Sequence, residues 1–158
     1  MRLSLKKGFS FGLTSGIITT LGLIVGLEAG TSSKTIILGG ILTIAVADAF
    51  SDALGVHMSE ESENQHSQQE IWESTLATFL SKFIFALTFV VPFLVFTITT
   101  AVYICIIWGV LLLTLLSINI AHRENKKTWA VASEHLLITA LVIILTHFLG
   151  DWINSTLK

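Results

Sequence analysis

Residues 101–121 read AVYICIIWGVLLLTLLSINIA, a run without a single Asp, Glu, Lys or Arg. A helix that crosses the hydrocarbon core of a bilayer needs roughly 20 apolar residues. Four further predominantly apolar stretches, each with one or two charged residues, lie near 8–29, 35–57, 75–98 and 131–154. Helices are expected because an open sheet edge leaves backbone groups unpaired in hydrocarbon. The sequence therefore predicts an all-α, polytopic membrane protein with five transmembrane helices.

The composition of the whole chain agrees with a membrane protein. Of the 158 residues, 53% are hydrophobic and 13% are charged, and the mean hydropathy is +0.79. Soluble domains carry roughly 25% charged residues, so the chain lacks the polar surface that a water-soluble fold needs. Five spans with short loops nearly fill the chain, and 1–158 is expected to form a single transmembrane domain. The first apolar stretch has no small-residue cleavage site and is predicted to be a retained helix.

The basic residues cluster on one side of the predicted bundle. One cluster, at 2–7, precedes the first helix, and the other, at 123–127, separates the fourth helix from the fifth. The opposite side holds only Lys34 and Lys158. The positive-inside rule therefore predicts a cytoplasmic N-terminus and a C-terminus on the outer or luminal side. With no targeting peptide evident, a prokaryotic plasma membrane is the expected location.

Two carboxylates, Asp48 and Asp52, lie within the predicted second helix. A spacing of four places them on one face of the helix, about one turn apart, with Ser51 beside them. Two such carboxylates repel each other unless a proton or a cation separates them, and hard divalent cations prefer oxygen ligands. The pair is either a site that exchanges protons for a divalent metal or a pair of packing contacts to neighbouring helices.

Other polar groups in the spans leave two interpretations open. Lys82 either extends its amine toward the cytoplasmic face or pairs with an aspartate of the second helix. Glu28 either reaches water at the outer end of the first helix or marks the exit of a pathway. His147 and Asp151, four residues apart, form either a metal or proton relay or an interfacial hydrogen-bonded pair. Cys105 is expected to be an apolar packing residue.

The first helix is rich in small residues. Gly12–Gly16 and Gly22–Gly26 are both GxxxG patterns. Such faces allow helix backbones to approach closely, often across a dimer interface. These patterns predict a homodimer that forms through helix one.

The longest polar stretch, 58–73, reads MSEESENQHSQQEIWE. On one continuous helix, its Glu63, His66, Glu70 and Glu73 would share a face. The stretch is either a solvated acidic helix or a cytoplasmic reservoir that captures divalent cations. The candidate metal ligands of this reservoir are Met58, Glu60, Glu61, Glu63, His66, Glu70 and Glu73.

Several stretches resemble the vacuolar iron transporter family. GIITTLGLIVG at 16–26 is similar to the family's first-helix motif, approximately DGLVSTFGLVAG. SDALGVHMS at 51–59 is similar to the end of its second helix, approximately SMAAGEYVS. The stretch 74–94, with its single proline, resembles the third helix, and the end of helix five is compatible. The resemblance implies an iron or manganese transporter that works as a homodimer, with the ion pathway near the subunit interface.

Three positions depart from the family pattern. A family aspartate of the first helix, a pathway metal ligand, falls on Ser15. A methionine of the second helix falls on Asp52, and a glutamate falls on Val56. These changes indicate either that Asp52 replaces a lost carboxylate or that a different ion is moved.

The sequence as a whole predicts proton-coupled export of Fe2+ or Mn2+ from the cytoplasm. The expected pathway residues are Ser15, Thr19, Asp48, Ser51 and Asp52. The metal is expected as the transported substrate, with no tightly bound cofactor and no nucleic-acid partner. The alternatives are a transporter of a different ion or solute on the same fold, or a membrane scaffold that transports nothing. No nucleophile–base pair or zinc-type cluster is apparent, so an enzyme is not predicted.

Overall fold

The computed structural model describes residues 2–157, which form helices and, within that range, no strand. Of these described residues, 91% are helical. The helices are α1 (Leu3–Thr31), α2 (Lys34–Glu63), α3 (Gln68–Thr88), α4 (Val90–Val95), α5 (Ile98–Glu124) and α6 (Thr128–Thr156). Helices α3 and α4 together make one span, Gln68–Val95, so residues 2–157 contain five helical segments that are long and apolar enough to cross a membrane. The predicted all-α fold with five spans is confirmed, and the chain is an integral membrane protein. Lys158 lies outside the described residues.

The helices extend beyond the apolar stretches from which they were predicted. The first begins at Leu3 and the second continues through Met58 to Glu63. The polar ends are helical because a helix needs no apolar side chains to continue once its backbone hydrogen bonds have started. Apolar runs therefore mark the membrane core of each helix and not its full length.

Helix α1 lies at the centre of the bundle and contacts α2, α3, α5 and α6. On the side that faces α3, its glycines lie directly against backbone. A Cβ atom added to Gly8 would lie 2.2 Å from the carbonyl oxygen of Ser74, and one added to Gly12 would lie 2.3 Å from that of Thr78. Only glycine allows α1 and α3 to come this close.

The second GxxxG pattern of α1 packs against α6. A Cβ atom added to Gly26 would lie 3.3 Å from the carbonyl oxygen of Thr146, and one added to Gly150 of α6 would lie 2.3 Å from that of Gly26. Both glycine patterns of α1 are therefore covered within the chain. Because α3 and α6 occupy these faces within the chain, the glycine patterns are explained without a dimer interface, and the homodimer stays a prediction.

The single proline interrupts the third span. Pro92 has no N–H to donate to the carbonyl of Thr88, four residues earlier, where α3 ends. The N–H of Phe89 instead bonds the carbonyl of Ala86 at 3.1 Å. The third span is therefore two helices, and it ends at Val95.

The acidic stretch 58–73 is a helical hairpin and not one helix. Helix α2 ends at Glu63 and is capped by Asn64, whose φ of 52° lies in the left-handed region that stops helices. Helix α3 begins with a capping box, in which the Ser67 hydroxyl accepts from the N–H of Glu70 and the Glu70 carboxylate accepts from the N–H of Ser67. The prediction that Glu63, His66, Glu70 and Glu73 share the face of one helix is therefore wrong.

Candidate functional site

Helices α1, α2 and α3 bring four polar side chains together inside the membrane-spanning region. Gly16 provides the space, because a Cβ atom there would lie 3.2 Å from Cα and Cγ of Lys82. The stem of Lys82 thus passes along the bare backbone of α1. Its amine reaches Ser15 on α1 and the two aspartates of α2, and we call these four residues the Lys82 site.

Lys82 is only 1% exposed, yet it has a partner for each of its protons. Its Nζ atom lies 2.5 Å from Oδ2 of Asp52, 2.6 Å from Oδ2 of Asp48 and 2.9 Å from the hydroxyl of Ser15. The Ser15 hydroxyl donates in turn to Oδ2 of Asp52 at 2.6 Å. An ammonium has three donors and no acceptor, so three acceptors satisfy it completely. Of the two interpretations of Lys82, the structure shows pairing with α2.

The structure shows which group separates the two like-charged carboxylates of α2. Asp48 and Asp52 are separated by a cation, as their repulsion requires, and that cation is the ammonium of Lys82. With both carboxylates ionised, the Lys82 site carries one negative charge more than it has positive charges. The sequence identified the aspartates and Ser15 but left the role of Lys82 undecided. A lone lysine among apolar residues was the available signal, since such a charge requires a counter-charge.

The carboxylates are not enclosed by the chain itself. The side chain of Asp48 is 31% exposed and that of Asp52 is 20% exposed, whereas that of Lys82 is 2% exposed. Beside them, α2 presents a row of exposed small residues at intervals of four, which we call the α2 stripe. The stripe consists of Gly39, Thr43, Ala47, Ser51 and Gly55. The Lys82 site therefore opens toward a surface that no part of residues 2–157 covers.

Thr19, the other hydroxyl proposed for the pathway, lies one turn beyond Ser15 on α1. Its hydroxyl donates to the carbonyl oxygen of Ser15 at 2.9 Å. Ser51 is exposed on the α2 stripe. These two residues flank the Lys82 site, whereas Ser15, Asp48 and Asp52 form it.

A second group of charges joins the N-terminus of α1 to the α2–α3 hairpin. Glu60 is 2% exposed; it accepts from the Ser74 hydroxyl and pairs with the Lys7 amine at 3.1 Å. Glu73 pairs with Arg2 and accepts from the Ser4 hydroxyl at 2.8 Å. Two basic residues before the first apolar stretch thus neutralise two of the candidate metal ligands.

The remaining acidic candidates do not gather around one point. Glu70 is used in the capping box, and Glu63 contacts His66 at 3.3 Å. Met58 and Glu61 are exposed. Across residues 2–157, no three His, Cys, Asp or Glu side chains are close enough to hold a metal ion together. The hairpin is therefore acidic, but its described side chains do not form a group of ligands around one metal position.

At the other end of the bundle, Glu28 and His147 line the same cavity of about 380 Å3 between α1, α5 and α6. Nε2 of His147 lies 3.4 Å from Oδ2 of Asp151. Cys105 is fully buried in the apolar core, where the packing role was expected. None of these side chains contacts the Lys82 site.

One comparison with known proteins bears on this site. The model of the VIT family, the vacuolar iron transporters, matches residues 7–71. The match contains α2, most of α1 and the start of α3, and so includes Ser15, Asp48 and Asp52 but not Lys82. No curated protein matches the chain.

Proposed function

We propose that the chain exports a divalent metal, Fe2+ or Mn2+, from the cytoplasm in exchange for protons. The match of residues 7–71 to the VIT family supports membership of the vacuolar iron transporter family, and the proposal proceeds from that match. The family suggests a metal ion transporter. The identity of the ion, the exchange for protons and the direction are the proposal. The observation that carries it is the pair of partly exposed carboxylates, Asp48 and Asp52, which together hold a cation within the spans.

The proposed cycle uses the oxygen atoms of the Lys82 site. A divalent ion coming from the acidic hairpin binds the carboxylates of Asp52 and Asp48, with hydroxyl oxygens of Ser15 and Thr19 nearby. Such hard oxygen ligands suit Mn2+ well and also bind Fe2+. Protons that enter from the outer side neutralise the carboxylates, and neutral carboxylic acids hold a divalent ion poorly. The ion is then released outward.

The proposed direction follows from the charges at the ends of the helices. Arg2 and Lys7 lie at the N-terminus of α1, and Arg123 lies at the end of α5. By the positive-inside rule this end of the bundle faces the cytoplasm, which puts the acidic hairpin there as well. A prokaryotic plasma membrane is the proposed location.

Metal flux into proteoliposomes under an imposed pH gradient tests this function. The native chain is expected to move Fe2+ or Mn2+ only when the gradient is present. Asp52→Asn, which removes one charge with little change in shape, is expected to lower that flux by roughly 100-fold. A factor of this size corresponds to a loss of about 2.7 kcal/mol in the binding free energy of the ion. Asp151→Asn, at the outer end of α6, is the matched control and should retain native flux. Absence of flux in a folded, correctly oriented native chain would refute the proposal.

We also propose that two copies of the chain assemble through the α2 stripe. A charged side chain is costly against lipid, and a row of small residues allows a close helix–helix contact. Added Cβ atoms at Gly39 and Gly55 would meet no atom of residues 2–157 within 4 Å, so the described part of a single chain leaves this face open. A second copy on the stripe would cover Asp48 and Asp52 and bring two Lys82 sites close together.

Disulfide trapping tests this interface. With Cys105 replaced by alanine, Ala47→Cys is expected to form a covalent dimer rapidly when the membranes are oxidised. Leu141→Cys, 55% exposed on α6, serves as the control for random collisions and should cross-link at least about tenfold more slowly. Equal rates for the two cysteines would exclude α2 as the interface.

A second candidate function is transport of a different cation by the same fold. It is favoured by Ser15 and Asp52, which stand where the family resemblance implies an aspartate and a methionine. Flux of a monovalent cation without flux of Fe2+ or Mn2+ in the same liposomes would select this alternative. No flux of any ion would leave the scaffold role.

A further inference from the structure

We propose that Lys82 is a tethered competitor for the transported ion, which binds both carboxylates only when the ammonium moves aside. The inference rests on the proposed function and adds to it the residue that determines affinity and ion charge. It uses the one charged group of the Lys82 site that lies outside the family match.

The first argument is the position of the ammonium. Nζ of Lys82 lies within 2.6 Å of one oxygen of Asp48 and one oxygen of Asp52. A divalent ion bound by both carboxylates would need this same position, since metal–oxygen distances are about 2.0–2.6 Å. The ion and the ammonium therefore exclude each other.

The second argument is that the ammonium can be displaced. Lys82 reaches the carboxylates through a flexible four-carbon stem. Among residues 2–157, its Nζ bonds only the two carboxylates and the hydroxyl of Ser15. No covalent or backbone constraint fixes the amine between the aspartates, so rotation of the stem would free both of them.

The third argument concerns the charge of the competing ion. A monovalent cation that replaces the ammonium brings the same charge and gains little attraction from the carboxylates. A divalent cation brings twice the charge, so its attraction to the two carboxylates is about twice as large at the same distance. Competition with the tethered ammonium thus favours the binding of divalent ions over that of monovalent ions.

Equilibrium binding of Mn2+ to the purified, detergent-solubilised chain tests the inference. Lys82→Met keeps an unbranched side chain of similar length and removes the charge. It is expected to bind Mn2+ about tenfold or more tightly than the native chain. Its Mn2+ binding should also become sensitive to excess Na+, whereas that of the native chain should not. Lys34→Met, which removes a lysine charge at the start of α2, is the matched control and should leave the affinity unchanged.

The outcomes separate this inference from the proposed function. If the native chain binds Mn2+ and Asp52→Asn abolishes the binding, the proposed site stands. Equal or weaker binding by Lys82→Met would then overturn the competitor role alone and leave Lys82 as a structural ion pair. No Mn2+ binding by either chain would overturn both. Should Lys82→Met fail to fold, Lys82→Gln, which is uncharged and carries an amide that can donate hydrogen bonds, gives the same comparison.

Discussion

Replacing Gly12 with alanine is expected to destabilise the folded chain by about 3 kcal/mol or more, at the upper end of the range for overpacked sites. The new methyl group would lie 2.2 Å from the Ser81 hydroxyl oxygen and 2.3 Å from the carbonyl oxygen of Thr78. The backbone of α3 cannot yield as a flexible side chain would, so α1 and α3 must move apart. That movement also separates Ser15 from Lys82. Thermal unfolding in detergent, followed by tryptophan fluorescence, measures the effect.

Gly30→Ala provides the matched control for this prediction. It introduces the same methyl group into the same helix, at a position where the nearest atom of another helix, the carbonyl oxygen of Gly150, would lie 3.5 Å from the added atom, an ordinary van der Waals contact. Alanine favours a helix over glycine by about 1 kcal/mol, so this variant should be as stable as the native chain or slightly more so. Similar midpoints for Gly12→Ala and the native chain would contradict the close packing of α1 against α3.

Replacing Asp48 and Asp52 together with asparagine is expected to destabilise the fold by about 3–5 kcal/mol. The double change keeps the shapes of both side chains but leaves the buried ammonium of Lys82 without a counter-charge, and an unpaired buried charge carries a penalty of this size. Either single substitution leaves one carboxylate within 2.6 Å of Nζ and should be much milder. Unfolding midpoints of the two single variants and the double variant measure the difference.

A third substitution distinguishes lost charge balance from lost packing. When Lys82→Met is added to the double variant, no charge remains in the site, and most of the lost stability should return. Apolar replacement of a complete buried ion pair is often neutral or stabilising, in contrast to removal of one partner. A triple variant as unstable as the double variant would show that the aspartates act through packing and not through their charge.

Most of the fold could be predicted from the sequence. The five spans followed from the lengths of the apolar runs, because hydrocarbon accepts only segments that pair their own backbone groups. The spacing of Asp48 and Asp52 placed both on one face of α2, and this local geometry depends on helical periodicity alone. Ser15 was included through the family resemblance. The interruption at Phe89 was missed, although Pro92 marked it four residues later.

The partners of each helix face could not be predicted in the same way. The GxxxG patterns of α1 predict a close helix contact, but the same pattern suits a neighbour within the chain or a second copy. The structure assigns α3 and α6 to these faces and leaves the α2 stripe uncovered. The partners of the acidic hairpin could not be predicted either. Glu60 pairs with Lys7 and Glu73 with Arg2, and both basic residues lie at the N-terminal end of α1, more than 50 positions away in the sequence.

The sequence by itself determined that the chain lies in a lipid bilayer, how many spans it has, and that two like charges share one helix face. These are properties of single segments, for which hydrophobicity and the period of the helix are sufficient. Only the tertiary structure decided that Lys82 lies between the two aspartates. That contact joins residues 30 and more positions apart, and it depends on the distance between α1 and α3, which Gly8, Gly12 and Gly16 permit. No local rule encodes such a distance, because it results from the packing of three helices at once.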